Sequence, residues 1–179
     1  MHIMDIFQNS VSAKASMISI DVDEDTKKNS LRLTIIDNGC GMTDAIVKKV
    51  TDPFFTTRTT RKVGLGLPLL KQNAERTGGF FRLESREGEG TRMTAQFVLD
   101  NIDRPVLGDI PGTVMLMVMS NPGIGITYEH KKDGRNYVFS TKDVKEALGD
   151  IPLNEPSVYK YLREMITENL SEIGVELTS

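Results

Sequence analysis

Residues 30–42 read SLRLTIIDNGCGM. Leu31, Leu33 and Ile35 alternate with polar neighbours, which predicts a strand with one apolar face. The strand runs into Asp37, then Asn38, then two glycines that flank Cys40. A carboxylate ending such a strand must have a partner or a task, because burial without one is costly. Glycines beside it mark backbone that takes positive φ or approaches a neighbour closely.

Working outward, MISIDV (17–22) alternates in the same way, with Ile18, Ile20 and Val22 on one face. The acidic stretch 23–30 between the two runs predicts a turn and an antiparallel pair. Upstream, Ile3, Ile6, Phe7, Val11 and Ala15 recur at helical spacing, while Asp5, Asn9 and Ser12 share another stripe. Downstream, Thr43 can cap a short helix, DAIVKKV (44–50). A loop, TDPFFTTRTTRKV (51–63), leads to Gly64. LPLLKQNAERTGG (67–79) predicts a helix with Pro68 in its first turn and a Gly78-Gly79 stop. FFRLESREGEGTRMTAQFVL (80–99) predicts a hairpin with Met93, Ala95, Phe97 and Leu99 on one face.

The aperiodic stretch 101–112, with its prolines and glycines, predicts a linker between a domain at 1–100 and a smaller α+β segment at 113–179. In that segment TVMLMVMS (113–120) is apolar throughout, as a central strand would be, with Met115, Met117 and Met119 in a stripe. Residues 125–140 predict a hairpin turning at Asp133-Gly134. KDVKEAL (142–148) and the run 156–173 predict two helices. His130 lies in the charged hairpin and is expected at the surface.

The bulk properties bound the function. The net charge of -3 gives no electrostatic reason for nucleic-acid binding. A single cysteine allows no intrachain disulfide, and a reducing cytoplasm is the expected setting. No apolar run approaches the roughly 18 residues of a membrane span, and no signal peptide is expected.

Four features occur in order: DIFQNSVSAKA (5–15), DNGCGM (37–42), DPFFTTR (52–58) and VGLGLPLL (63–70). Together with GEGTRMTAQF (88–97) they resemble the N, G1, F and G2 boxes and the closing strands of the GHKL superfamily. That superfamily includes gyrase B, a heat-shock chaperone, histidine kinases and MutL. The F and G2 boxes look most like those of histidine kinases. The resemblance implies a Bergerat-type α+β fold, a two-layer sandwich whose mixed, mainly antiparallel sheet carries helices on one face. It also implies ATP and Mg2+ as ligands.

Residue by residue, the resemblance implies that Asp37 accepts from the exocyclic amine of adenine, with Gly39 and Gly41 letting the backbone approach the base. Thr91 would support the adenine side. Asn9 would be the magnesium ligand, and Gly64, Leu65, Gly66 and Leu67 would cradle phosphates at a helix start. Phe54 would anchor the lid, and Arg58, with Arg61 and Lys62, could neutralise phosphate charge or simply be solvated.

Asp5 departs from the pattern. The hydrolysing branches have a Glu there and histidine kinases commonly an Asn. Asp5 reads either as a general base or as a solvated, metal-assisting carboxylate. Ser12 stands where histidine kinases often carry a Lys, and Lys62 and Val63 replace the usual glycine and threonine before the G2 pair. An upstream phosphoacceptor helix is not expected, so the chain reads as a stand-alone ATPase or kinase acting on a separate protein. A response regulator, an anti-sigma target or a hydrogenase-associated subunit would be such a partner. The other reading is a non-catalytic, ATP-dependent interaction module of anti-sigma-like kind.

Overall fold

The alternating runs on either side of the acidic turn form β1 (Met17–Asp25) and β2 (Ser30–Asp37), paired antiparallel with Ile20 opposite Ile35 and Val22 opposite Leu33. These and the following elements come from a computed structural model that describes residues 3–52 and 66–177. The other elements are α1 (Ile3–Ser12), α2 (Asp44–Val50), α3 (Gly66–Arg76), β3 (Phe80–Arg86) and β4 (Gly90–Val98). After them come α4 (Ile110–Ser120), β5 (Gly125–Lys132), β6 (Arg135–Ser140), α5 (Thr141–Leu148) and α6 (Pro156–Glu172). Among the described residues the six strands make one mixed sheet in the order β3-β4-β2-β1-β5-β6. Only the β1–β5 pairing is parallel.

Register explains why one face is the core. Ile20, Ile35, Met93 and Tyr128 line up across β1, β2, β4 and β5, and all are buried. The intervening residues, such as Asp21, Arg32 and Glu129, point to the open face. On the apolar face, α1 contributes Ile3, Ile6 and Phe7, and α3 contributes Leu67, Leu70 and Ala74. The expected α+β sandwich is therefore observed, with its helices over one face of the sheet.

The strand expected at 113–120 instead makes up most of α4, all but its first three residues. An unbroken apolar run lacks the periodicity that separates strand from helix, and the start signals lie just upstream. The Asp109 side chain caps the helix by accepting from Gly112 N, and Pro111 occupies the first turn. On a helix Met115 and Met117 no longer share one stripe, yet both are buried, while Leu116 is exposed. α4 lies over Ile20 and Tyr128, beside Ile3 of α1.

The elements after residue 112 do not build a sheet of their own. α4 carries the chain across the sheet, and β5 then pairs with β1 from Met17–Gly125 to Glu24–Lys132. The β5–β6 turn is at Asp133-Gly134 as expected, with φ of 50° and 84°. α6 closes this end with Val158, Leu162, Ile166 and Leu170.

His130, expected at the surface, is fully buried. Its Nε2 is 2.8 Å from Glu24 Oε1, and its Nδ1 is 2.6 Å from the Tyr128 hydroxyl. Lys132 Nζ reaches the other Glu24 oxygen at 3.4 Å. Both ring nitrogens of His130 thereby have partners, as do the Tyr128 hydroxyl and both Glu24 oxygens. Burial by itself pushes the Glu24 carboxyl up, but the hydrogen bonds and charges of His130 and Lys132 outweigh it. The group is held below its ordinary 4.5. Burial, reinforced by the charge of Glu24, pushes the Tyr128 hydroxyl well above 10.0. The alternation of β5 (Ile126, Tyr128, His130) carries the histidine inward, and Glu24 meets it at the end of the same face of β1.

Candidate functional site

Asp37 is buried at the last position of β2, opposite Thr91 of β4. Its Oδ1 accepts from Gly39 N at 2.9 Å and its Oδ2 from the Ser10 hydroxyl at 2.6 Å. Both oxygens are thus fixed by donors. The next residue, Asn38, accepts from Ser16 N and Met17 N at 2.9 Å each and donates to Ser16 Oγ at 2.8 Å. That side chain ties the end of β2 to the start of β1 and sets where Asp37 stands.

The glycines serve this closure. Gly41 has φ +66°, and a Cβ there would overlap the Arg86 carbonyl. Gly39 does not take positive φ; a Cβ on it would come within 2.8 Å of the Ala13 Cβ and carbonyl oxygen. The atoms that a Cβ would meet at these two positions belong to α1's exit and to the β3–β4 hairpin. Cys40 N donates to Ala13 O, Gly88 N to Cys40 O, and Met42 N to Ser85 Oγ, at 2.9, 2.8 and 2.9 Å. These bonds pin the loop 38–42 between helix and hairpin.

The result is a cavity of about 190 Å³ lined by α1, β2, the loop, α2, α3, β3 and β4. Ile35, Leu83 and Met93 form its sheet side, and Ile6, Val50 and Leu67 its helical side. Two apolar walls with one anchored carboxylate between them suit a flat, mostly apolar ring that bears a hydrogen-bond donor. Asn9 and Thr91 also line the cavity. Thr91 Oγ1 is 2.8 Å from Ser85 Oγ, which also donates to Gly90 O at 2.9 Å.

The structure therefore gathers Asn9, Asp37, Gly41, Leu67 and Thr91 around one cavity, with Gly39 in the wall behind Asp37. Gly66 is buried at the first position of α3, where a Cβ would come within 2.9 Å of Asp5 Cβ. Asp5 is exposed on α1, one turn before Asn9, against the start of α3 and outside the cavity lining. Phe54, Arg58, Gly64 and Leu65, with Arg61 and Lys62, lie outside the described residues. Ser10 escaped sequence reasoning, yet a signal existed. It is the one polar member of the inward stripe Ile3, Ile6, Phe7, Ser10.

Residues 2–101 match the family described as histidine kinase-, DNA gyrase B-, and HSP90-like ATPase. Among curated relatives, a sensor protein of Shewanella frigidimarina is 35% identical over 103 residues, 56% of this chain and 16% of that protein. The sensor protein kinase FleS of Pseudomonas aeruginosa is 37% identical over 92 residues, 51% of this chain and 23% of its own length. The chain thus spans less than a quarter of these relatives. Among solved structures, the ATP-binding domain of topoisomerase IV from Francisella tularensis, in complex with a small-molecule inhibitor, aligns with a TM-score of 0.48. Its identity is 16%, over 79% of this chain and 86% of that one. The family match covers more than half of the residues and includes every wall of the cavity, so the chain belongs to the histidine kinase-, DNA gyrase B-, and HSP90-like ATPase family.

Proposed function

We propose that the chain binds Mg-ATP in this cavity and either hydrolyses it or transfers phosphate to a separate protein. The observation that carries the reading is the Asp37 carboxylate, buried between apolar walls with both oxygens held by donors. An ionised carboxylate is acceptor-only and matches the 6-amino group of adenine; the 6-oxo group of guanine would face it as a second acceptor. The adenine ring fits between the Ile35–Met93 side and the Leu67–Val50 side. Thr91, across from Asp37, offers a hydroxyl to the same edge.

Asn9 supplies an amide oxygen on the α1 side of the cavity. Among the described residues no group of three His, Cys, Asp or Glu side chains converges. A magnesium ion suits this donor set when nucleotide phosphates complete its coordination, since it commonly takes few protein ligands. When bound, it would neutralise phosphate charge. The start of α3 at Gly66 and Leu67 offers backbone N–H groups and the positive end of the helix dipole to the phosphates. Asp5, beside Gly66, is the candidate to orient or deprotonate an attacking water. The sensor-kinase names of the relatives support a protein as phosphate acceptor, and His130 is not that acceptor because it is sealed in the core.

The test is isothermal titration of ATP, with and without magnesium, into wild type and Asp37→Asn. Magnesium-dependent binding that the substitution abolishes supports the reading, and phosphate release from Asp5→Ala then isolates the catalytic half. A wild-type protein that takes up no ATP overturns it.

A further inference from the structure

We infer that Ser10 is a positioning residue for base recognition, locking the Asp37 carboxylate and tying it to the helix that carries Asn9. The inference rests on the nucleotide reading above and goes past it, to a side chain outside the four sequence boxes' expected contacts.

Ser10 is 3% exposed and follows the α1 stripe Ile3, Ile6, Phe7 onto the sheet. An apolar residue at this point would extend the stripe, so the hydroxyl needs a reason. The reason is its 2.6 Å bond to Asp37 Oδ2, a short bond between a hydroxyl and a carboxylate. The Gly39 N–H holds Oδ1 at 2.9 Å. With one donor on each oxygen the carboxylate plane is fixed, and the remaining lone pairs are the ones left for a ligand. Without Ser10, the Gly39 N–H alone holds the group and the carboxylate can turn about its terminal torsion.

The bond also has a second end. Ser10 is the immediate neighbour of Asn9, so one hydroxyl sets the distance between the base-reading carboxylate on β2 and the metal-side amide on α1. Base and phosphate ends of the site are coupled through it, and loosening it should blur both.

The experiment compares wild type, Ser10→Ala, Ser10→Cys and Ser10→Thr. Each is titrated with ATP and ITP, whose bases differ by an amine against a carbonyl, and Gly39 amide exchange is followed without nucleotide. Losing a hydrogen bond to a charged group predicts roughly ten-fold weaker ATP binding in Ser10→Ala. The ATP-over-ITP ratio should shrink, and Gly39 should exchange faster. Ser10→Cys keeps the volume with a weaker donor and should fall between, while Ser10→Thr keeps the hydroxyl and should restore the ratio. A general packing defect would weaken both nucleotides equally and leave the ratio unchanged, which overturns the inference. If wild type binds no ATP, the nucleotide reading fails by itself. The Gly39 exchange rate still decides whether Ser10 holds Asp37, and an unchanged rate in Ser10→Ala refutes it.

Discussion

Replacing His130 with leucine should cost the fold about 3 to 5 kcal/mol, the range for removing one member of a buried, charged hydrogen-bond network. The structure gives two contributions. Glu24, with only 9% of its side chain exposed, loses the 2.8 Å donor that satisfies Oε1 and keeps only Lys132 at 3.4 Å. Tyr128, fully buried, loses the partner of its hydroxyl at 2.6 Å. Leucine fills much of the imidazole's volume, so a void contributes little. Urea unfolding at neutral pH, followed by circular dichroism, reads the change as a shift in midpoint at constant slope. The acid side supplies an internal check. A carboxyl held below its unfolded value of 4.5 contributes stability that is present above about pH 4.5 and lost as pH falls through the folded value. In His130→Leu the largest influences lowering that carboxyl are gone, so stability should fall less steeply below pH 4.5 than in wild type. A loss under about 1 kcal/mol, with an unchanged acid slope, would refute the reasoning and make the cluster a solvated one.

Gly41→Ala should destabilise by about 2 kcal/mol or more, combining left-handed backbone strain with the clash at the Arg86 carbonyl. Gly88→Ala, at φ +76° with nothing within 4 Å, carries the strain alone, and the urea midpoints of the two variants should differ accordingly. Asp109→Ala should remove about 1 kcal/mol by uncapping α4, and an unchanged thermal midpoint would deny the cap a role. On the alkaline side, the raised Tyr128 hydroxyl contributes stability present below about pH 10 and lost as pH rises above it. Near-ultraviolet absorbance should therefore show one tyrosine ionising only as the chain unfolds.

The parts of the fold that alternate or repeat in the sequence are the parts that can be read from it. Ile18, Ile20 and Val22 against Leu31, Leu33 and Ile35 announce a half-buried antiparallel pair, and Asp133-Gly134 announces the β5–β6 hairpin. Helix α4 is hidden because an apolar run satisfies a buried strand and a buried helix equally; only the Asp109 and Pro111 start signals distinguish them. His130 misleads because its neighbours Glu129, Lys131 and Lys132 are charged, while the inward direction of β5 is set by pairing with a strand more than a hundred residues away. Asp37, Asn9 and Thr91 are legible as a constellation, whereas Ser10 shows only as a polar interruption of an inward apolar stripe. That interruption does not say that a carboxylate from another element will meet it. The glycines show the same limit: their positions are readable, but whether the crowding atom is a ligand or Ala13 and Arg86 is a fact of tertiary structure.

The parallel pairing of β5 with β1 bears on how the molecule may be dissected. A fragment ending near Asp100 would contain every described wall of the cavity and would look self-sufficient by family boundaries. It would also turn β1 from an interior strand into a rim, with the hydrogen-bonding groups that meet Gly125 to Lys132 left bare. The apolar side chains Ile18, Ile20 and Val22 would lie along that rim. Such an edge invites pairing with another chain, so the fragment would be prone to self-association under its own sheet chemistry. In the intact chain the rim lies instead at the short β6, where Arg135 and Asn136 are exposed and offer a poor template.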